Sequence, residues 1–262
     1  IEPRSLAIRS VGYCRHPDKL AIEPRVTRQV FDAAGRLHES WDPRLWGTAP
    51  KANLCTVHGL NGQPLLMDSV DAGWQLSLLD QAGLPCSFWD ARGSQRHTDH
   101  DYQQRPIRVT EQEAAELPRV VERLTYGGST EIFIQHNQCG RLIRHDDPAG
   151  SQCFIDYGLA GSALVEERRF LTDLETPDWP DEPDSREAWL ENQSFFTRHV
   201  FHPTGDIQRQ TDVMGNVRTF GYDLAGKLSE TWLLLAGPDK QPQRLVSDIQ
   251  YNAYGQSESE IA

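Results

Sequence analysis

Metal-ligating residue types crowd into His97-Thr98-Asp99-His100-Asp101. Imidazole and carboxylate bind zinc and related ions. Neighbouring side chains in a strand point to opposite faces, however, so an adjacent run does not converge on one ion. A solvated loop is the simpler expectation. His136-Asn137-Gln138-Cys139 sets an imidazole near a thiol, the pairing that activates a cysteine nucleophile. Asp146-Asp147 has the composition of a general acid–base pair. Gly127-Gly128-Ser129 has the glycines of a phosphate loop, but no GxxxxGK[ST] follows, and no GxSxG elbow occurs. Seven tryptophans, among them Trp41, Trp46, Trp74 and Trp232, could line a sugar or peptide cleft. Packing in a large β-structure employs them equally well and is the reading preferred here.

Two of these candidates fall on a repeat that explains them as turns. The repeat is an aromatic, then Asp or Asn, two variable residues, and Gly. It is spelled by Phe31-Asp32-Ala33-Ala34-Gly35, Trp89-Asp90-Ala91-Arg92-Gly93, Tyr222-Asp223-Leu224-Ala225-Gly226 and Tyr251-Asn252-Ala253-Tyr254-Gly255. Chance would give roughly 0.2 copies, so the pattern is real. Weaker copies are Leu79-Asp80…Gly83, His136-Asn137…Gly140, Asp146-Asp147…Gly150, Tyr157…Gly161, Phe201-His202…Gly205 and Thr211-Asp212…Gly215, with a degenerate one at His58…Gly62. Gly205, Gly215 and Gly226 stand 10 and 11 residues apart, as do Gly140, Gly150 and Gly161. That period suits one short strand plus a turn. Asp or Asn accepts a hydrogen bond from the backbone two residues on, and Gly takes the positive φ that closes the turn.

The elements that must carry these turns are therefore short antiparallel strands, about 15–20 of them by this period, in a coiled meander. Ile132 and Ile134 are expected to share a strand face, and a last strand to run over residues 245–251 with an unpaired outer edge. Two capping boxes, Thr110-Glu111-Gln112-Glu113 and Asp184-Ser185-Arg186-Glu187, predict short helices over residues 110–121 and 184–195. The acidic, proline-rich stretch between Glu175 and Asp184 reads as a solvated surface insertion, part of a loop and short helix at about 172–196. Residues 1–262 are taken as one repeat region.

The 262 residues carry 26 basic and 38 acidic side chains, a net charge of −12. Such a balance argues against a phosphate-backbone binder and against docking on an anionic membrane. No apolar run approaches the roughly 20 residues of a spanning helix, and no signal segment opens the chain. Five cysteines, Cys14, Cys55, Cys86, Cys139 and Cys153, are widely spaced without a CxxC pair. They are expected to be reduced and part-buried. No catalytic, cofactor or metal residue is assigned; the repeat residues are structural.

Beyond the repeat, RSLAIRSVGY (4–13), RVTRQVFDAAGRL (25–37) running into DPRLW (42–46), VDAG (70–73) and GNVRTFGYDLAGKL (215–228) stand in order along the chain. Together with the repeats they resemble the Rhs or YD-repeat family, and within it the N-terminal region of the TccC-type C component of bacterial insecticidal toxin complexes. The resemblance implies a spiral β-sheet, part of a hollow shell shared with a B component that encloses a C-terminal toxic enzyme. It implies as partners the B component, through it the pore-forming A component, and the remainder of the same Rhs chain, with no nucleic acid and no membrane insertion. It implies synthesis in the cytoplasm and release without a secretory signal. The family's aspartate self-cleavage site and DPxGL-like string are not found here, so this chain is expected to be a leading shell segment of a longer protein. The same scaffold serves type VI secretion Rhs effectors. A module gripping carbohydrate or protein at a cell surface is the alternative function.

Overall fold

Each repeat turn that carries an Asp or Asn clasp closes by the same four hydrogen bonds. In the first, Asp32 Oδ1 accepts the N–H groups of Ala34 and Arg36, both at 2.9 Å. Gly35 N–H donates to the Asp32 carbonyl, and Asp32 N–H to that of Arg36. Gly35 has φ +83°. Beside the turn the strand register slips by one residue, between Val30 and Phe31. This is a three-residue hairpin loop, a type I turn followed by a left-handed residue at a bulge. It links strands that are neighbours in sequence, so a chain of such turns can build only an antiparallel meander.

The computed structural model describes residues 1–18 and 21–261. It divides into two compact units, Ile1–Arg119 and the residues from Val120 on. The first holds β1 (Arg9–Cys14), β2 (Glu23–Phe31), β3 (Leu37–Trp41), β4 (Leu54–His58), β5 (Pro64–Ser69), β6 (Gly73–Leu79), β7 (Pro85–Asp90), β8 (Gln95–His100) and β9 (Pro106–Gln112). Each pairs antiparallel with the next. Among the described residues of this unit only Ala52 and Val109 are buried apolar side chains.

The second unit opens with β10 (Arg119–Tyr126), a one-turn helix α1 (Glu131–Gln135), β11 (Leu142–Asp147), β12 (Gly150–Tyr157) and β13 (Ala163–Phe170). A second one-turn helix, α2 (Pro183–Glu187), lies within the insertion. There follow β14 (Phe195–Phe201), β15 (Ile207–Thr211), β16 (Val217–Tyr222), β17 (Leu228–Leu234) and β18 (Gln243–Val246), and a separate hairpin of β19 (Asp248–Tyr251) and β20 (Ser257–Ile261). The core of this unit is the cluster Leu171, Trp179 and Leu190, against which Val120 and Trp189 pack. The fold is mainly β, a meander of short antiparallel strands with two short helical insertions, as the repeat predicts.

Several local expectations are corrected. Residues 110–112 are strand, not helix: Thr110, Glu111 and Gln112 pair with His97, Arg96 and Gln95. The first capping box is overridden by this pairing, with Arg96 bonding Glu111 at 3.0 Å, since tertiary context outweighs a local helix signal. A turn follows instead, Glu116 N–H to the Glu113 carbonyl. Ile132 and Ile134 lie in α1, not in a strand. The second helix begins at Pro183, the favoured first helical position for proline, and ends by Glu187. The last strand expected at 245–251 is two strands parted at Ser247; β18 pairs with β17 and β19 with β20.

Candidate functional site

The repeat-turn residues fall into three groups. Asp80, Asp90, Asp212, Asp223 and Asn252 repeat the Asp32 clasp, each side-chain oxygen accepting from residues two and four ahead. Gly83, Gly93, Gly215, Gly226 and Gly255 close these turns with φ between +76° and +86°. Gly161 and Gly205 close turns of the same backbone form, without an Asp to clasp them: Gly161 N–H meets the Gly158 carbonyl and Gly205 N–H that of His202. The remaining pairs depart from the expected turn. Asn137 and Gly140 sit in the α1 connection, where Asn137 Nδ2 donates to the Tyr157 carbonyl and Gly140 N–H to that of Gly127. Asp147 and Gly150 flank a shorter β11–β12 hairpin, with Asp147 Oδ1 accepting from Ala149 and Gly150.

One clasped turn carries no glycine. Asp101 Oδ1 accepts from Gln103 and Arg105, and Gln104 occupies the glycine position at φ +64°. This turn takes Asp101 out of the imagined metal cluster. His97 and Asp99 lie in β8 rather than a loop, and Asp99 bonds Arg108 across the sheet at 2.7 Å. Among the described residues no three potential metal ligands gather. His136 bonds Asp156 at 2.5 Å. All five cysteines are free; four are half-buried, and Cys139, expected to be part-buried, is exposed.

The tyrosines of the repeat reach backwards. Tyr222 Oη donates to the Ile207 carbonyl at 2.7 Å, Tyr157 to Leu142 at 2.6 Å and Tyr251 to Leu228 at 2.8 Å. Each acceptor lies two residues beyond the closing glycine of an earlier turn at the same end of the strands: Gly205, Gly140 and Gly226. Arg141 and Lys227, directly after two of those glycines, lie over the Tyr157 and Tyr251 rings. Phe31 and Trp89 lack the hydroxyl, but Arg36 Nη1 makes an equivalent link to the Gly59 carbonyl at 2.8 Å. Burial pushes the Tyr222 phenol above its usual range, with Asp206 adding to the effect. Tyr222→Phe is expected to cost about 1 kcal/mol, the net worth of one such hydrogen bond. Denaturant midpoints equal to the parent would show the link contributes nothing.

The insertion holds the one deeply buried charge cluster among the described residues. Asp146 is 0% exposed. It accepts Arg144 Nε at 2.7 Å and Arg186 Nη1 at 2.9 Å. Arg186 also donates to the Pro180 and Asp181 carbonyls. Glu187 pairs with both Arg144 and Arg169. Trp179, 1% exposed, donates from Nε1 to the Asp147 carbonyl at 3.2 Å. The stretch expected to be solvated is therefore pinned to the sheet, and Asp146 is an ion-pair centre rather than a turn residue. Trp179, Trp189 and Arg186 in an otherwise acidic, proline-rich insertion were the available signal.

Burial pushes Asp147 upward, but the Arg168 fork at 2.6 and 2.7 Å outweighs it and holds the carboxyl below its ordinary 3.8. Burial likewise opposes, and Arg144 and Arg169 overcome it, at Glu187, held below 4.5. Both folded values lie below the unfolded ones. The folded state thus binds fewer protons, and its stability rises with pH in this range. The contribution is full above the ordinary carboxylate range and is lost as pH falls through the depressed folded values. Denaturant midpoints between about pH 3 and 7 should drop at the acid end. Asp147→Asn should flatten that drop; an unchanged profile would remove Asp147 as a cause.

A meander of Asp-clasped hairpins stitched by tyrosines is the architecture of an Rhs/YD-repeat sheet. The chain is 32% identical over 268 residues to toxin subunit YenC1 of Yersinia entomophaga, covering 98% of this chain and 27% of that protein. It is 31% identical to toxin subunit YenC2 of the same organism, covering 97% of this chain and 28% of that one. It superposes on the crystal structure of TcdB2-TccC3-Cdc42 with a TM-score of 0.85 at 31% identity, over 98% of this chain and 12% of that one. The Photorhabdus luminescens Tc holotoxin pore gives the same TM-score and identity, again over 98% of this chain and 12% of that one. No family model matches. The chain corresponds to a TccC-like Rhs/YD-repeat region of a toxin-complex C component, and it spans about a quarter of the curated relatives' length.

Proposed function

We propose that the chain forms part of the wall of a hollow Rhs shell which, with a B component, encloses and delivers a toxic enzyme, and that this segment does no chemistry itself. The observation that carries this reading is how few apolar side chains are enclosed: among the described residues the buried ones are Ala52, Val109, Val121, Tyr157, Leu171, Trp179 and Leu190. Leu60, Tyr102, Leu159, Leu224 and Tyr254 are almost fully exposed. A wall one sheet thick has this property, because enclosed material or neighbouring wall covers what a packed core would otherwise bury. The relatives seen in TcdB2-TccC3 assemblies support a B component as partner, and the A component through it. Release from the producing bacterium follows from the same reading; among the described residues no helix is long and apolar enough to cross a membrane.

The test is co-expression of the full C component bearing this region with its B component. A stable complex that shields a downstream segment from protease is the expected result. Failure to associate, or shielding that persists after residues 1–262 are deleted, would overturn the reading. The isolated chain on a glycan array should give no specific hit; a saturable one would favour the surface-binding module instead.

A further inference from the structure

The insertion of the second unit opens into a cavity of about 320 Å³. Leu171 and Trp189 supply its apolar lining, and Asp173, Glu175 and Asp178 its carboxylates. The Trp189 ring is fixed. It stacks on Trp179 with centroids 5.7 Å apart at 25°, and its carbonyl accepts from Thr172 N–H at 2.9 Å and Thr172 Oγ1 at 3.1 Å. Asp178 Oδ1 accepts Val120 N–H at 2.8 Å, and Asp173 Oδ1 accepts Glu175 N–H at 3.2 Å. The Glu175 carboxylate has no partner among the described residues.

Residues 172–194 contain eight acids and a single base, Arg186. That base is consumed by Asp146 and by the Pro180 and Asp181 carbonyls. The chain therefore supplies no cation of its own from the insertion to the carboxylates of the cavity. We propose that the cavity seats an arginine or lysine side chain projecting from a partner protein segment. A guanidinium or ammonium satisfies the carboxylates and lies against a preset indole face, while its alkyl stem packs on Leu171. An anion is repelled there. A neutral apolar group would strip water from carboxylates and give nothing back. The volume suits one side chain at the lower end of ligand pockets. This goes beyond the shell role, and it stands whether or not the chain is a shell wall.

The purified chain is titrated with Ac-Gly-Arg-Gly-NH2, with its Glu and Leu counterparts, and with a neutral oligosaccharide, following indole N–H resonances by NMR. The arginine peptide is expected to bind at least tenfold more tightly than the others and to weaken with salt. The Glu175→Gln/Asp173→Asn variant should lose at least tenfold of that affinity, with little change in thermal midpoint, because the Glu175 carboxylate has no partner among the described residues and that of Asp173 accepts a single backbone N–H. No saturation by the arginine peptide, equal binding of the Glu or Leu peptide, preference for the sugar, or undiminished binding in the variant would each overturn the proposal.

Discussion

Asp146→Ala is expected to destabilise the second unit by about 3–5 kcal/mol, the cost of breaking a buried ion pair. Its carboxylate is fully enclosed, and the Arg144 and Arg186 side chains are only 15% and 6% exposed. Removing it leaves two guanidiniums facing each other without their shared acceptor. Their remaining bonds run to the insertion, which should then peel from the sheet. Amide exchange at Thr172, Trp179 and Glu191, whose N–H groups bond the Trp189, Val120 and Phe170 carbonyls, should accelerate with the loss of stability. Asp146→Leu combined with Arg186→Met should recover most of the loss, because apolar replacement of a buried pair is often neutral. A single variant within about 1 kcal/mol of the parent would mean that water reaches the pair.

Gly150→Ala is expected to cost about 3 kcal/mol, near the upper end of what backbone strain alone accounts for. Gly150 has φ +143°, and a Cβ there would stand 2.1 Å from the Arg169 carbonyl oxygen of the neighbouring strand. Strain and collision act together, and neither atom belongs to a flexible side chain. Gly226→Ala is the control. It has φ +76° with nothing within 4 Å, so only the conformational penalty of about 1–2 kcal/mol applies. Gly226→Val should cost somewhat more than Gly226→Ala. Equal losses for Gly150→Ala and Gly226→Ala in denaturant midpoints would show that β12 and β13 can separate at no expense.

The meander was legible because its turns are local. Asp32 and Gly35 close their loop by bonds within five residues, so nothing distant is needed to read it. Asp101 was missed because the left-handed position carries Gln104, a residue that tolerates positive φ only under constraint. The capping box opening at Thr110 misled because its strand partners, Gln95, Arg96 and His97, lie outside any local window. The insertion was misread for a related reason. Its acids and prolines look solvated, and only the fold shows that Trp179 meets Val120 and that Arg186 meets Asp146, forty residues away. The proposed cation cavity had no sequence signal at all, since Asp173, Glu175 and Trp189 are brought together by the docking of the loop.

The tyrosine bonds set a rule for how such a chain can change length. Tyr222 reaches Ile207 past one intervening turn at the opposite end of the strands. Adding or deleting a single strand would move every later tyrosine to the wrong end and orphan its hydroxyl. Adding or deleting a hairpin pair keeps the phase, and where the connections are tight the pair spans 21 residues, as from Gly205 to Gly226 and from Gly140 to Gly161. Chains of this architecture should therefore grow and shrink in whole hairpins of that size, much as a woven fabric gains rows only by complete passes of the shuttle.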